Sequence, residues 1–157
     1  MIDPATVRSL TGSTYPEPHA SAMGDRSFQE LGEAGGLTDF GAVLVTMPPE
    51  TLSSLRHWHT EEDEFACVLE GELTLVEDDG PTIVGPGSFI AWAKGSPNGH
   101  RLENRSGAVA RFLVIGSRSP TDVCVYSDVD LAFHAAEGGR FTRRGGAPLT
   151  DGHGDTQ

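Results

Sequence analysis

Two histidines one residue apart, His57 and His59, are followed five positions later by Glu64 in the stretch RHWHTEEDEFACVLEGE, residues 56–72. Side chains alternate along a strand, so a strand through His57 presents both imidazoles on one face, about 6.7 Å apart along the chain. Two imidazoles on one face suit a divalent metal ion, although in a chain with six histidines such a pair also arises without any ligand role. The acids that follow sort by parity. In one unbroken strand Glu61 and Asp63 would share the histidine face and Glu64 would point away. The apolar run 65–69 begins immediately after Glu64, however, so TEED (60–63) reads as a solvated turn. Glu64 then opens a new strand and shares a face with Ala66 and Val68. A carboxylate at the inner end of a buried face needs a partner, because an unpaired buried charge is costly, and a metal ion would supply one. Trp58 projects opposite the two histidines and reads as a packing residue.

The elements that must hold these residues are short and β-rich. Twenty glycines and ten prolines divide the middle of the chain into brief apolar runs, with no long stretch of helical periodicity. Strands are predicted over DFGAVLVTM (39–47), the segment ending in His57 and His59, EFACVLEG, ELTLVE, PTIVG, SFIAWA, HRLEN and AVARFLVIGS (108–117). Turn chemistry separates them at EDDG (77–80), GPG (85–87), KGSPNG (94–99) and NRSG (104–107). Many short strands at regular spacing predict one all-β domain, a sandwich or barrel with its core over about 37–117. Residues 1–36 read as an arm with a short helical turn over 26–31. One further strand is predicted at VCVY (123–126), where it would pair at an edge. Beyond Ala135 the apolar content falls, so an irregular tail is expected, with little regular structure in the last ten residues.

Bulk properties exclude several classes. At 157 residues and 37% hydrophobic, the chain is long enough for one domain with a real core. A formal net charge of -12 repels nucleic-acid backbones and anionic lipid surfaces, so neither is an expected partner. The N-terminus carries no secretory pattern and no run long enough to span a membrane, so a soluble, cytoplasmic protein is expected. Cys67 and Cys124 lie in apolar runs without CxxC spacing and read as reduced core residues; neither has a sequence neighbour suited to activating it as a nucleophile. His19, His134 and His153 fall in the arm, the late segment and the tail, where exposure is the default.

The spacing His57-x-His59-x4-Glu64-x6-Gly71 resembles the first sequence motif of the cupin superfamily, whose two histidines and glutamate are metal ligands. The second cupin motif is matched by GSFIAWAKGSPNGHRLEN (87–104) with departures: Ser88 stands where an aspartate often follows the glycine, Ala93 replaces a proline, and Asn98 occupies the usual histidine position. His100 comes two residues later. A two-residue shift keeps strand parity, so His100, Leu102 and Asn104 would still face the side of the usual histidine. His100 is the expected fourth ligand; the alternatives are Asn98 at the metal, or three protein ligands only. Asn104 would orient a ligand through its amide. YPEP, GLTDFGA and VYSDVDL extend the resemblance to a bacterial group of small single-domain cupins, and imply a double-stranded β-helix, or jelly-roll, fold.

Three imidazoles and a carboxylate bind a divalent transition metal (Fe, Mn, Ni, Cu or Zn) while leaving positions open for a small molecule. Two functions follow as expectations. One is a metal-dependent enzyme acting on a small oxygenated metabolite, either a dioxygenase-like oxygenase or an isomerase or lyase using the ion as Lewis acid. The other is a non-catalytic module that binds a sugar-like ligand at the same site. Arg56 and Lys94 are candidates to hold a substrate carboxylate, or are simply solvent-facing charges. Phe89, Ala91 and Phe112 are candidate pocket walls, or core. The resemblance also implies a homodimer.

Overall fold

The computed structural model describes residues 1–149; the residues expected to close the tail, including His153, lie almost wholly outside them. From the N-terminus, β1 (Leu10–Thr11), β2 (Ser27–Glu30) and the four-residue helix α1 (Leu31–Ala34) precede the long strand β3 (Phe40–Met47). The middle of the chain supplies β4 (His57–His59), β5 (Glu64–Glu70), β6 (Leu73–Glu77), β7 (Gly80–Val84), β8 (Phe89–Trp92), β9 (Arg101–Glu103) and β10 (Ala110–Ser117). Three short strands follow: β11 (Val123–Tyr126), β12 (Ala132–His134) and β13 (Arg140–Thr142). No helix among the described residues is long and apolar enough to cross a membrane.

The strands form an antiparallel, all-β jelly roll. One layer is the six-stranded sheet β1-β2-β3-β10-β5-β8. The other combines β13-β12-β11-β4 with β7-β6-β9. These two pieces meet at an antiparallel bridge between His57 and His100, each donating its backbone N–H to the other's carbonyl at 2.8 and 3.1 Å. The backbone pairing that stitches this layer together thereby sets two of the expected metal ligands side by side.

Alternation explains which residues fill the space between the layers. Val45 and Met47 of β3, Ala66 and Val68 of β5, Leu75 of β6, Leu102 of β9 and Phe112 of β10 form one buried cluster. Each large apolar side chain buried here contributes roughly 1.5–3 kcal/mol. On β8 the inward positions belong to Ile90 and Trp92, which pack against this cluster. Phe89 and Ala91 therefore face outward, and Phe89 is 70% exposed, so neither belongs to the core or to the wall of the cavity inside the jelly roll. Gly71, which turns β5 into β6, has φ of 73°, and a Cβ there would come within 2.6 Å of the Val109 carbonyl oxygen. Only glycine fits that close approach of two backbones.

The two ends of the chain carry more structure than composition implied. Ser27–Glu30, expected within a helical turn, pairs as β2 with β3, and the helix begins only at Leu31. Past Ala135, β13 pairs with β12 and places Phe141 against a second apolar cluster. That cluster joins Met23 and Tyr15 of the arm to Leu55, Cys124, Tyr126 and Leu131. The arm and the late strands thus extend the fold beside β4, the strand that bears the histidine pair.

Candidate metal centre

Glu64 is the first residue of β5, and its side chain lies on the face of the fully buried Ala66 and Val68. Three imidazole Nε2 atoms converge on its carboxylate. His100 Nε2 is 2.8 Å from Glu64 Oε2, His59 Nε2 is 3.6 Å away and His57 Nε2 is 3.7 Å away. Potential donor atoms of His57, Glu64 and His100 all lie within 4.8 Å of one another. The rings of His57 and His59 meet edge to face at 5.1 Å, and those of His57 and His100 are 4.7 Å apart.

The opposite edge of each ring is occupied. His57 Nδ1 donates to the Leu55 carbonyl at 2.9 Å, with Ser54 Oγ at 3.2 Å. His59 Nδ1 donates to Asp122 Oδ2 at 2.7 Å. Protonation at Nδ1 leaves the Nε2 lone pairs free and directed at Glu64, which is the arrangement a coordinated imidazole requires. His100 is fixed differently: its ring stacks on Trp92 at 3.8 Å and 9°, while its Nδ1 is buried with no partner among the described residues. Trp92 is itself anchored by donating Nε1–H to Glu77 at 3.0 Å. The donor set and its outer partners fit a divalent transition metal held by His57, His59, Glu64 and His100.

Electrostatics separate the members. Burial pushes the His57 imidazole down to about 4, against the pull of Glu64. Burial also opposes charge on His59, but the Asp122 hydrogen bond and the nearby Glu64 outweigh it and hold its pKa above the usual value. Burial opposes ionisation of Glu64 too, yet the His100 hydrogen bond and the surrounding imidazoles pull the carboxyl down to about 2. The carboxylate is therefore charged at neutral pH and available as a ligand.

The cluster opens into a cavity of about 190 Å³ whose walls include Val45, Phe112 and Val114. Phe112 is both core and wall. The other candidates lie elsewhere. Asn104 is 1% exposed and does not reach the histidines. Its Nδ2 donates to the Met47 and Ala108 carbonyls, and its Oδ1 accepts from Ser106, so it pins the β9–β10 turn. Asn98 Oδ1 accepts the Asp78 N–H, outside the cluster. Arg56 is committed to Asp128 and Asp78. Lys94 is exposed, beside Thr60 and Glu61 in a separate surface hollow. The acids of TEED do more than meet solvent: Glu61 accepts from Ser119 and Thr121, Glu62 from the Ser119 N–H, and Asp63 from the Lys94 N–H. Glu61 and Glu62 tie down the segment between β10 and β11, and Asp63 holds the chain where it leaves β8.

Asp122 and Trp92 escaped sequence reasoning. A strand over 123–126 extended by one residue puts Asp122 on the face of Cys124 and Tyr126, but nothing local says that β4 is its neighbour. Pairing of Cys124 with His59 and Tyr126 with His57 supplies that fact. It also gives Cys124 two histidine neighbours, with its sulfur within 4.8 Å of donor atoms on His57 and His59. Burial pushes this thiol well above its ordinary range, so it stays protonated and inert. Both cysteines are free.

A jelly roll carrying three histidines and a glutamate inside one end defines the cupin class. Residues 43–116 match the family model described as a cupin domain. A crystal structure from Silicibacter pomeroyi, described as a sugar phosphate isomerase from a cupin superfamily, is 46% identical, with 96% of each chain covered and a TM-score of 0.93. The chain belongs to the cupin superfamily. A structure from Acidithiobacillus ferrooxidans, provisionally given the same isomerase activity, is 26% identical over 81% of each chain, with a TM-score of 0.72. The polyketide cyclase RemF of Streptomyces resistomycificus, at 24% identity over 74% of this chain and 78% of its own, shares the fold with a TM-score of 0.59. No curated protein matches the chain.

Proposed function

We propose that the chain is a metal-dependent cupin isomerase or lyase that carries out redox-neutral chemistry on a small oxygenated metabolite. The observation that carries this reading is the convergence of three Nε2 atoms on Glu64, 2.8–3.7 Å away, beside a cavity of about 190 Å³. The 46%-identical Silicibacter pomeroyi relative, described as a sugar phosphate isomerase, supports the redox-neutral choice over an oxygenase. His57, His59, Glu64 and His100 would hold the ion, which when bound supplies Lewis acidity toward a substrate carbonyl or hydroxyl oxygen.

The remaining roles belong to the chain itself. Val45, Phe112 and Val114 exclude water from the inner cavity, which strengthens every polar contact made there. Asp122 holds the His59 ring and its tautomer. Burial pushes the Tyr15 and Tyr126 phenols above their ordinary range, so beside the histidines they act as neutral hydrogen-bond donors rather than as bases. The protein works as a homodimer in this reading, with the outer face of the six-stranded sheet around the exposed, stacked Phe65 and Phe89 as its contact face.

The test is direct. Protein purified without a metal-affinity tag is analysed for bound elements, then supplied with Zn(II), Mn(II) or Fe(II) and a panel of phosphorylated and free sugars, and products are followed by NMR with oxygen uptake recorded in parallel. Isomerised or eliminated product without oxygen consumption is the expected result. Oxygen consumption in step with product would replace this reading by an oxygenase; tight sugar binding without turnover would replace it by a binding module.

A further inference from the structure

Beside the histidine pair lies a second chamber of about 290 Å³, which shares Ser54 and His57 with the apolar cavity. His57 and His59 form one wall, Tyr126 and Cys124 of β11 another, and Tyr15 and Arg26 of the N-terminal arm close it. Arg26 is the unusual member. In a chain of net charge -12 most arginines are paired: Arg56 with Asp78 and Asp128, Arg101 and Arg105 with Glu103, Arg118 with Glu33 and Arg143 with Asp130, while Arg8, Arg140 and Arg144, without an ion pair among the described residues, are exposed to solvent. Arg26 has no such pairing among the described residues. Its Nη1 is sealed from solvent with no hydrogen-bond partner among the described residues.

A partly buried guanidinium without an acceptor costs free energy unless something fills the place. Ordered water would offset part of that cost. An anionic oxygen group would offset more, since a planar fork of N–H donors matches a carboxylate or phosphate and such charge-assisted bonds are the strong ones. The neighbouring hydroxyls suit the same ligand. The Tyr15, Tyr126, Ser13, Thr14 and Ser54 hydroxyls line it and can donate, and no carboxylate is among its lining residues; Glu64 and Asp122 lie behind the histidine wall, against His59.

We propose that this chamber is the anion subsite of the protein, in which Arg26 holds the phosphate or carboxylate of a small substrate whose other oxygens reach the His57 and His59 wall. The proposal rests on the function proposed above for the identity of that substrate, but the binding of an anion at Arg26 does not require a metal. The arm thus completes the site rather than merely covering it.

The experiment uses the full chain stripped of metal with chelator, at low ionic strength, titrated separately with inorganic phosphate and with acetate by calorimetry and by chemical-shift changes. Saturable binding of at least one probe is expected, weakened about tenfold or more in Arg26→Gln and partly retained in Arg26→Lys. Phosphate alone binding would identify a phosphorylated substrate; acetate alone, a hydroxy acid. Glu64→Gln should lose metal by elemental analysis yet keep anion binding, so failure of the metal reading is visible separately. Thermal melting of Arg26→Gln at or above the wild-type temperature is expected, because an unpaired buried charge is removed; a cooperative melt also certifies that the variant is folded. Absence of binding by the wild-type chain, or equal binding by wild type and folded Arg26→Gln, overturns the proposal and leaves water in the chamber.

Discussion

At His59 two carboxylates act on one imidazole: Asp122 on Nδ1 at 2.7 Å and Glu64 near Nε2 at 3.6 Å. Together they hold the ring's pKa above 6.5 against the desolvation that lowers it. Metal binding needs the neutral ring, so a proton competes wherever pH lies below that raised value. Apparent metal affinity should therefore rise between pH 6 and pH 8, measured by competition with a chromogenic chelator; a flat profile would remove His59 from the ligand set. Asp122→Asn keeps the size of the side chain but removes its charge. It should cost about 10- to 100-fold in affinity while moving the pH profile toward acid, since the His59 proton is then held less tightly. His57 is shifted the other way from His59, and in the metal-free protein that shift affects stability. Its folded pKa of about 4 lies below the unfolded value, so the unfolded chain binds the proton first and His57 withdraws stability as pH falls from about 6.5 toward 4. For the choice between His100 and Asn98, elemental analysis is decisive: His100→Ala should empty the site and Asn98→Ala should leave it filled, as expected from an amide engaged with Asp78.

Between residues and fold, the strands and their turns determine where donors point. β5 restarts at Glu64 because the chain turns through TEED, and that turn is held by Ser119, Thr121 and the Lys94 N–H. The β9–β10 turn depends in the same way on Asn104. Asn104→Ala strands the Met47 and Ala108 carbonyls, and at roughly 1–3 kcal/mol for a buried unsatisfied group the loss should be about 2 kcal/mol or more. For a chain of this size that is a fall in Tm of roughly 4–8 °C. Metal content should be unchanged, which separates a turn-holding amide from one that orients a ligand. Just before the bridged His100, Gly99 passes so close to β11's end that a Cβ would lie 2.0 Å from Ser127 Oγ. Gly99→Ala should cost about 1–3 kcal/mol by overpacking, and Ser127→Gly in the same chain should restore most of it. Additive losses in denaturant unfolding would show that the clash is not the cause.

For the whole molecule, several exposed apolar residues, among them Phe40, Phe65 and Phe89, gather on the outer side of the six-stranded sheet. Phe65 and Phe89 stack at 6.1 Å there, and Phe40, Ala91 and Ile115 line a hollow beside Phe65. A second copy seated on this strip would bury it. Light scattering after size exclusion should give twice the mass of 16.6 kDa, with Phe65→Asp plus Phe89→Asp giving the single mass while keeping the metal; a monomeric wild type would dispose of the idea. What the sequence determined alone was local: the strands in the middle of the chain, the common face of His57 and His59, and the parity that keeps His100 on the side expected for the usual histidine all follow from a period of two read within a few residues. The short strand at 123–126 was equally legible, but not its partner. Which strand lies beside which, and in what register, depends on packing summed over the whole chain. Only the tertiary structure could therefore bring Asp122 to His59 across 63 residues, set Trp92 on His100, turn Phe89 to the outside, and fold an arm of unremarkable composition so that Arg26 and Tyr15 close a chamber against the histidines.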